Sequence, residues 1–237
     1  NQYRVVSSAD MEHWEESEIS FSLDDVPWAD EIQEPTYLDR VKSYEELPEA
    51  ILTFLPEEAR EMPIGQFLPL LRNILIEQQK NKSLFAPDCI CKDGKYYLYF
   101  CLSDDSEGVA VSGSPVGPFK NAVRLPVKGI DPAVFIDDDG QAYYYWGQFA
   151  SCGAKLNPDM MSIDESTIVE GLVTEKEHHF HEGSSMRKRG DIYYYVFADI
   201  SSGRPSSLGY ATSKSPLGPF TYQGVIVDNV ALNGESW

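Results

Sequence analysis

Three lone acids, Asp88, Asp131 and Glu182, stand at the same place in three stretches of similar order. These are APDCICKDGKYYLYF (86–100), GIDPAVFIDDDGQAYYYWG (129–147) and HEGSSMRKRGDIYYYVFA (181–198). Each acid precedes a short apolar run, a charged turn closed by Gly94, Gly140 or Gly190, and a second run dense in tyrosine. Carboxyl groups that converge in a cleft rimmed by aromatic rings can cut a glycosidic bond. One protonates the leaving oxygen, another takes a proton from water, and the charge of a third holds the proton on the first. Aromatic faces stack on sugar rings. One such acid alone reads as a turn cap; three at one repeat position read as a site.

Convergence needs a frame. Run, turn and run is the pattern of a β-hairpin, and the three glycines fall 46 and 50 residues apart, close to the ~40–50 residues of one propeller blade. SPVGPF (114–119) recurs as SPLGPF (215–220), 101 residues on, so units two apart share a closing loop. In KYYLYF, AYYYWG and IYYYVF the aromatics fall on both faces of the strand, because side chains alternate. A sheet squeezed between two neighbours buries both faces; a sheet with one wet face alternates apolar with polar. The 14 tyrosines suit strands generally. The expected fold is an all-β propeller, with an ordinary β-sandwich as the plain alternative. In a propeller an acid at the entry of each innermost strand lines the mouth of the central tunnel.

Residues 43–83 break the repeat. Ser43 and Glu46 have capping-box spacing, and Leu70, Leu71, Ile74 and Leu75 are expected on one helical face. Pro48, Pro56, Pro63 and Pro69 are expected to chop the region into short pieces. It reads as a helical decoration packed beside the propeller, and DDVPWADEIQEP before it as a solvated loop. YRVVSSADMEHWEE at the start matches the second half of a blade with no tyrosine hairpin ahead of it. The expected organisation is one partial propeller domain over 1–237. Its parts are a first-blade remnant (1–23), a helical and loop insertion (24–83), blades at 84–128, 129–178 and 179–228, and the start of a fifth at 229–237. Half a blade plus three leaves a ring open, so the chain is expected to be an internal portion of a longer protein.

A formal charge of −19 repels phosphate backbones and anionic lipid, which argues against nucleic acid as a partner. No apolar run approaches the ~18 residues of a membrane span. Cys89, Cys91, Cys101 and Cys152 are too sparse for a disulfide scaffold and read as free, small apolar residues. His178, His179 and His181 lack a second ligand segment, and no metal site is expected from them. The unpaired thiols tilt localisation toward a bacterial cytoplasm; oligomeric state is not legible.

From about residue 84 onward, with the YRVVSSADMEHW stub, the three stretches resemble the repeated blade motifs of glycoside hydrolase family 43. These are five-bladed β-propeller enzymes that include arabinofuranosidases, arabinanases and β-xylosidases. Residues 24–83 depart from the resemblance. It implies an inverting acid/base hydrolase of arabinose- or xylose-containing oligosaccharide or polysaccharide. Glu182 would be the general acid and Asp131 the acid that modulates its proton affinity and orients it. Asp88 would lie at the floor of the sugar site, Phe85 would stand where relatives place a stacking tryptophan, and Ser184 is a further binding candidate. It requires no cofactor and admits a structural calcium ion at the propeller centre of the intact protein. The family's general base is a first-blade aspartate whose position falls ahead of Asn1, so these residues alone are expected not to turn over. A fructosidase of similar fold would need Arg-Asp-Pro where Ile130-Asp131-Pro132 stands and Glu-Cys where Glu182-Gly183 stands. A glycoside phosphorylase would need a phosphate site, for which Arg187, Lys188 and Arg189 form the sole basic cluster, read here as a solvated hairpin tip. A non-catalytic carbohydrate-binding propeller is the third alternative.

Overall fold

The computed structural model describes residues 1–32, 34–48, 51–52, 55–205 and 207–228. The chain divides into two units, residues 1–27 with 83–237, and residues 28–82. The expected start of a fifth blade at 229–237 lies outside the described residues.

The first unit is built of antiparallel sheet. Four two-residue strands open it: β1 (Gln2–Tyr3), β2 (Val6–Ser7), β3 (Glu15–Glu16) and β4 (Phe21–Ser22), paired β1 with β4 and β2 with β3. Three four-stranded sheets follow. The first holds β5 (Leu84–Lys92), β6 (Lys95–Leu102), β7 (Ser106–Ser112) and β8 (Lys120–Lys128). The second holds β9 (Ala133–Ile136), β10 (Ala142–Trp146), β11 (Cys152–Leu156) and β12 (Ile163–Val169). The third holds β13 (Phe180–Arg189), β14 (Ile192–Asp199), β15 (Ser207–Ser213) and β16 (Thr221–Asp228). Within each sheet, strands pair in chain order, as in a propeller blade. Strand β9 lies against both β5 and β13, so the leading strands neighbour one another.

The tyrosine runs are the mortar. Along β10, Tyr144 faces the sheet before it, in a core with Tyr97, Tyr99, Val109 and Leu125. Tyr143 and Tyr145 face the sheet after it, in a core with Met186, Tyr193, Tyr195 and Phe197. One strand thus fills two cores through its alternation. Ring centroids of Tyr99 and Tyr144 are 5.2 Å apart and those of Tyr145 and Tyr195 5.3 Å. Each such pair adds ~0.5–1.5 kcal/mol beyond the area it buries.

The repeated SPxGPF loops are clasps. Phe119 N–H donates to the Ser20 carbonyl at 2.8 Å, and the Ser20 hydroxyl donates to the Val116 carbonyl at 2.8 Å. In the second copy, the Tyr145 hydroxyl donates to the Pro216 carbonyl at 2.9 Å. Each loop therefore grips the preceding element of the ring. Gly117 has φ +84°, and a Cβ there would meet the Ser20 carbonyl oxygen at 2.8 Å. G117A is expected to lower stability by ~1–3 kcal/mol, read as a lower urea midpoint at unchanged slope.

The basic cluster is not a hairpin tip. Arg187, Lys188 and Arg189 lie within β13. Lys188 Nζ pairs with Asp137 at 2.6 Å and Asp138 at 2.9 Å on the preceding sheet. All four cysteines are free; Cys89 and Cys91 are exposed and Cys101 is buried.

The second unit carries one long helix, α1 (Ile64–Lys80), beside short 3-10 turns. Pro69 sits inside α1 and does not end it, contrary to expectation; Pro63 caps its start, and Pro56 caps the 3-10 turn Glu57–Glu61. Pro69 falls in the second turn of a 17-residue helix, near the end where few backbone N–H groups have intrahelical partners to lose, and the Leu, Gln, Glu, Arg and Lys residues that follow favour helix. The buried face of α1 is Phe67 and Leu71, packed with Leu38 and Leu47 and flanked by Ile64, Leu68 and Leu75. Leu70 and Ile74 point out, 50% and 53% exposed, so the expected face was one position out of phase. The Ser43 capping box is not made: Glu46 accepts from Lys42 N–H at 2.7 Å rather than from Ser43, and Ser43 makes no side-chain cap. Val26 and Trp28, read as a solvated loop, are buried.

Candidate active site

Each of the three acids sits where the leading strand of its sheet departs from regular pairing. Register slips between Phe85 and Asp88, and Ala86 has φ +45°. Asp131, just ahead of β9, has φ +56°. Register slips on both sides of Glu182, with Gly183 at φ +66°. A left-handed residue in a strand re-aims the side chains beside it, and such bulges collect at functional sites. The hydrophobic pattern of the repeats locates the strands but not these kinks.

The kinks bring the acids to the seam between sheets. Asp88 Oδ2 accepts from Val134 N–H of the next sheet at 2.8 Å, and Oδ1 from Cys89 N–H at 2.8 Å. Asp131 Oδ2 accepts from Gly183 N–H of the next sheet at 2.9 Å. Both aspartates are thus tied forward by a backbone donor. Glu182 is held differently, since its Oε2 accepts from the Gln148 side-chain amide at 2.7 Å. A cavity of about 510 Å³ opens here, and Asp88, Asp131, Gly183, Ser184 and Arg187 are among its lining.

Burial pushes the Asp131 carboxyl up, and the charge of Glu182 beside it pushes it further, against the Gly183 N–H and the His181 ring. Asp88 is also raised, by burial first, with its two N–H donors and the Arg187 charge opposing. Phe85 is 49% exposed on β5 and is not part of the cavity lining. The Ser184 hydroxyl is 2.7 Å from the Tyr195 hydroxyl, which also bonds Ser151, so it anchors the bulge from within.

Sequence reasoning missed two residues. Gln148 follows AYYYWG and carried no repeat signal; Arg187 was assigned to solvent but lines the cavity. The histidines diverge. His178 is buried on α2 (Glu175–His178) against the Phe220 carbonyl, His179 packs on Tyr222, and His181 pairs with Glu175. Among the described residues no group of three or more His, Cys, Asp and Glu side chains could hold a metal ion. The calcium that the resemblance admits finds no such donor set among them.

The family model of glycosyl hydrolases family 43 matches residues 69–234. This chain belongs to glycosyl hydrolase family 43. Family 43 likeness extends to a xylosidase/arabinosidase of Bacteroides ovatus, 36% identical over 192 residues, covering 63% of this chain and 58% of that protein. Xylosidase/arabinosidase 43A of Humicola insolens is 37% identical over 200 residues, covering 63% and 60%. Among solved structures, the chain is similar to CoXyl43, a family 43 β-xylosidase/α-arabinofuranosidase from a compost metagenome, solved with xylotriose in a calcium-free form. That likeness has TM-score 0.55 and 33% identity over 62% of this chain and 58% of that one. RS223 β-xylosidase matches 97% of this chain and 68% of its own at TM-score 0.64; at 23% identity it speaks for the fold alone. The family 43 neighbours are five-bladed β-propellers, the architecture to which these blades belong. The chain spans about three-fifths of the length of these curated relatives.

Proposed function

We propose that the protein is an inverting O-glycosyl hydrolase of xylose- or arabinose-containing oligosaccharides or polysaccharides. Glu182 is its general acid and Asp131 the group that modulates and orients it. Asp88 forms the floor of the sugar site, Phe85 offers a stacking face, and Ser184 braces the strand that presents the acid. One observation carries the reading: Asp131 accepts the N–H of Gly183, the residue next to Glu182, and both Asp131 and Gly183 line the cavity, although Glu182 itself is not among its lining residues. The sugar class follows from relatives that are named xylosidase/arabinosidase.

In this reading the glycosidic oxygen approaches Glu182. As the bond to the anomeric carbon breaks, its electron pair stays on that oxygen, which takes the Glu182 proton. A water attacks the opposite face and gives its proton to a carboxylate base. Phosphorolysis is the weaker alternative, because Lys188 is already engaged by Asp137 and Asp138. Proton NMR of the full-length protein acting on an aryl β-D-xyloside and an aryl α-L-arabinofuranoside tests the proposal. The first-formed sugar is expected to have the inverted anomeric configuration; retention, or no sugar released from either, ends it.

A further inference from the structure

The amide that reaches Glu182 is held from both sides. Gln148 stands between Gly147 and Phe149. Gly147 N–H donates to the Ile130 carbonyl at 2.9 Å, one residue before Asp131. Phe149 N–H donates to the His181 carbonyl at 2.7 Å, one residue before Glu182. The Phe149 carbonyl accepts from Glu175 N–H at 2.8 Å, and its ring meets that of His181 edge-on at 5.3 Å. Gly147 has φ +123°, and a Cβ there would lie 2.4 Å from the Ala150 carbonyl oxygen. The turn is therefore tight, and its flanks are pinned to the segments that carry the two acids.

The chemistry of the contact is directional. An amide nitrogen offers hydrogens and no lone pair, so Gln148 Nε2 can only donate to Glu182 Oε2. When Glu182 is protonated, Oε2 must be its accepting oxygen and Oε1 must carry the hydrogen. We infer that Gln148 is a positioning residue that fixes the transferable proton of Glu182 on Oε1, given the general-acid reading above. As the Oε1–H bond breaks, the proton passes to the leaving oxygen, which also takes the electron pair of the broken glycosidic bond. Glu182 is left as a carboxylate, and the Gln148 bond to it strengthens, because bonds to ionised acceptors are stronger. An interaction that tightens along the reaction lowers its barrier.

Leaving-group dependence tests this in the full-length protein. The probes are aryl β-D-xylosides, or aryl α-L-arabinofuranosides if those are the better substrates, with dinitrophenol and unsubstituted phenol as leaving groups. The first needs no proton and the second does. E182A is expected to lose ~10²–10⁴-fold in kcat/KM on the phenyl glycoside and little on the dinitrophenyl one. Q148A is expected to show the same pattern at about tenfold on phenyl, carried by kcat rather than KM. Q148M keeps the volume without the donor and is expected to show the same leaving-group pattern, so it carries the test if Q148A fails to fold. Equal losses on both substrates, or a change confined to KM, in the Gln148 variants overturn the inference while E182A still marks Glu182 as the acid. An E182A variant without leaving-group dependence overturns the general-acid reading and this inference with it.

Discussion

In the full-length protein, E182Q is expected, on the proposed acid role, to lower kcat on a xylo-oligosaccharide by ~10²–10⁴-fold, the usual contribution of a positioned general acid. The substitution is close to isosteric, so it removes the transferable proton and little else. The side-chain oxygen can still accept from Gln148, and Asp131 keeps the Gly183 N–H. Sugar affinity, read by calorimetry on the inactive variant, is therefore expected to stay within a few-fold of the parent, with the melting temperature nearly unchanged. That pair of readouts separates the hydrolase from a sugar-binding propeller, in which affinity persists and there is no turnover to lose. A variant that keeps its full rate removes Glu182 from the chemistry.

The second large effect is expected away from the cavity, at Glu107. This side chain is fully buried on β7; Tyr144 donates its hydroxyl to Oε2, and Oε1 has no hydrogen-bond partner among the described residues. Burial pushes its carboxyl up to about 8, with the charges of Asp131 and Asp105 adding to the shift and the Tyr144 hydroxyl opposing it. The sign follows from proton counting. Between about pH 4.5 and pH 8 the folded state holds a proton that the unfolded chain has released, so stability falls as pH rises. It is highest below the unfolded value and levels off above the folded one. The cost at the alkaline end is on the order of 4–5 kcal/mol. E107Q keeps an acceptor for Tyr144 and cannot ionise. Its urea midpoint is expected to lie near the parent's at pH 4.5 and to exceed it increasingly up to pH 8. Parallel midpoints across that range would remove Glu107 as the source.

How much of this was legible in advance depended on whether the signal was periodic. The hairpins and the double-sided tyrosine strands were readable, because alternation along AYYYW decides which core each ring enters. The three acids were readable because they recur in register with the strands. The left-handed kinks at Ala86, Asp131 and Gly183, which aim those acids, leave no hydrophobic pattern. Gln148 was invisible for a related reason, since its role depends on two backbone bonds to segments far off in sequence. Arg187 and Lys188 were read as one solvated patch, yet alternation on β13 places Arg187 at the cavity while Lys188 reaches Asp137. In α1, tertiary packing decided the outcome: Phe67 and Leu71 found a core with Leu38 and Leu47, which fixed the phase and left Leu70 and Ile74 outside.

The forward ties from Asp88 to Val134 and from Asp131 to Gly183 bear on how such a catalyst can diversify. Each tie joins an aspartate side chain of one sheet to a main-chain N–H of the next, so the placement of Asp88 and Asp131 is keyed to the backbone of the neighbouring blade. Substitutions in rim loops that leave the Val134 and Gly183 N–H groups in place are expected to leave the Asp88 and Asp131 carboxylates where they are.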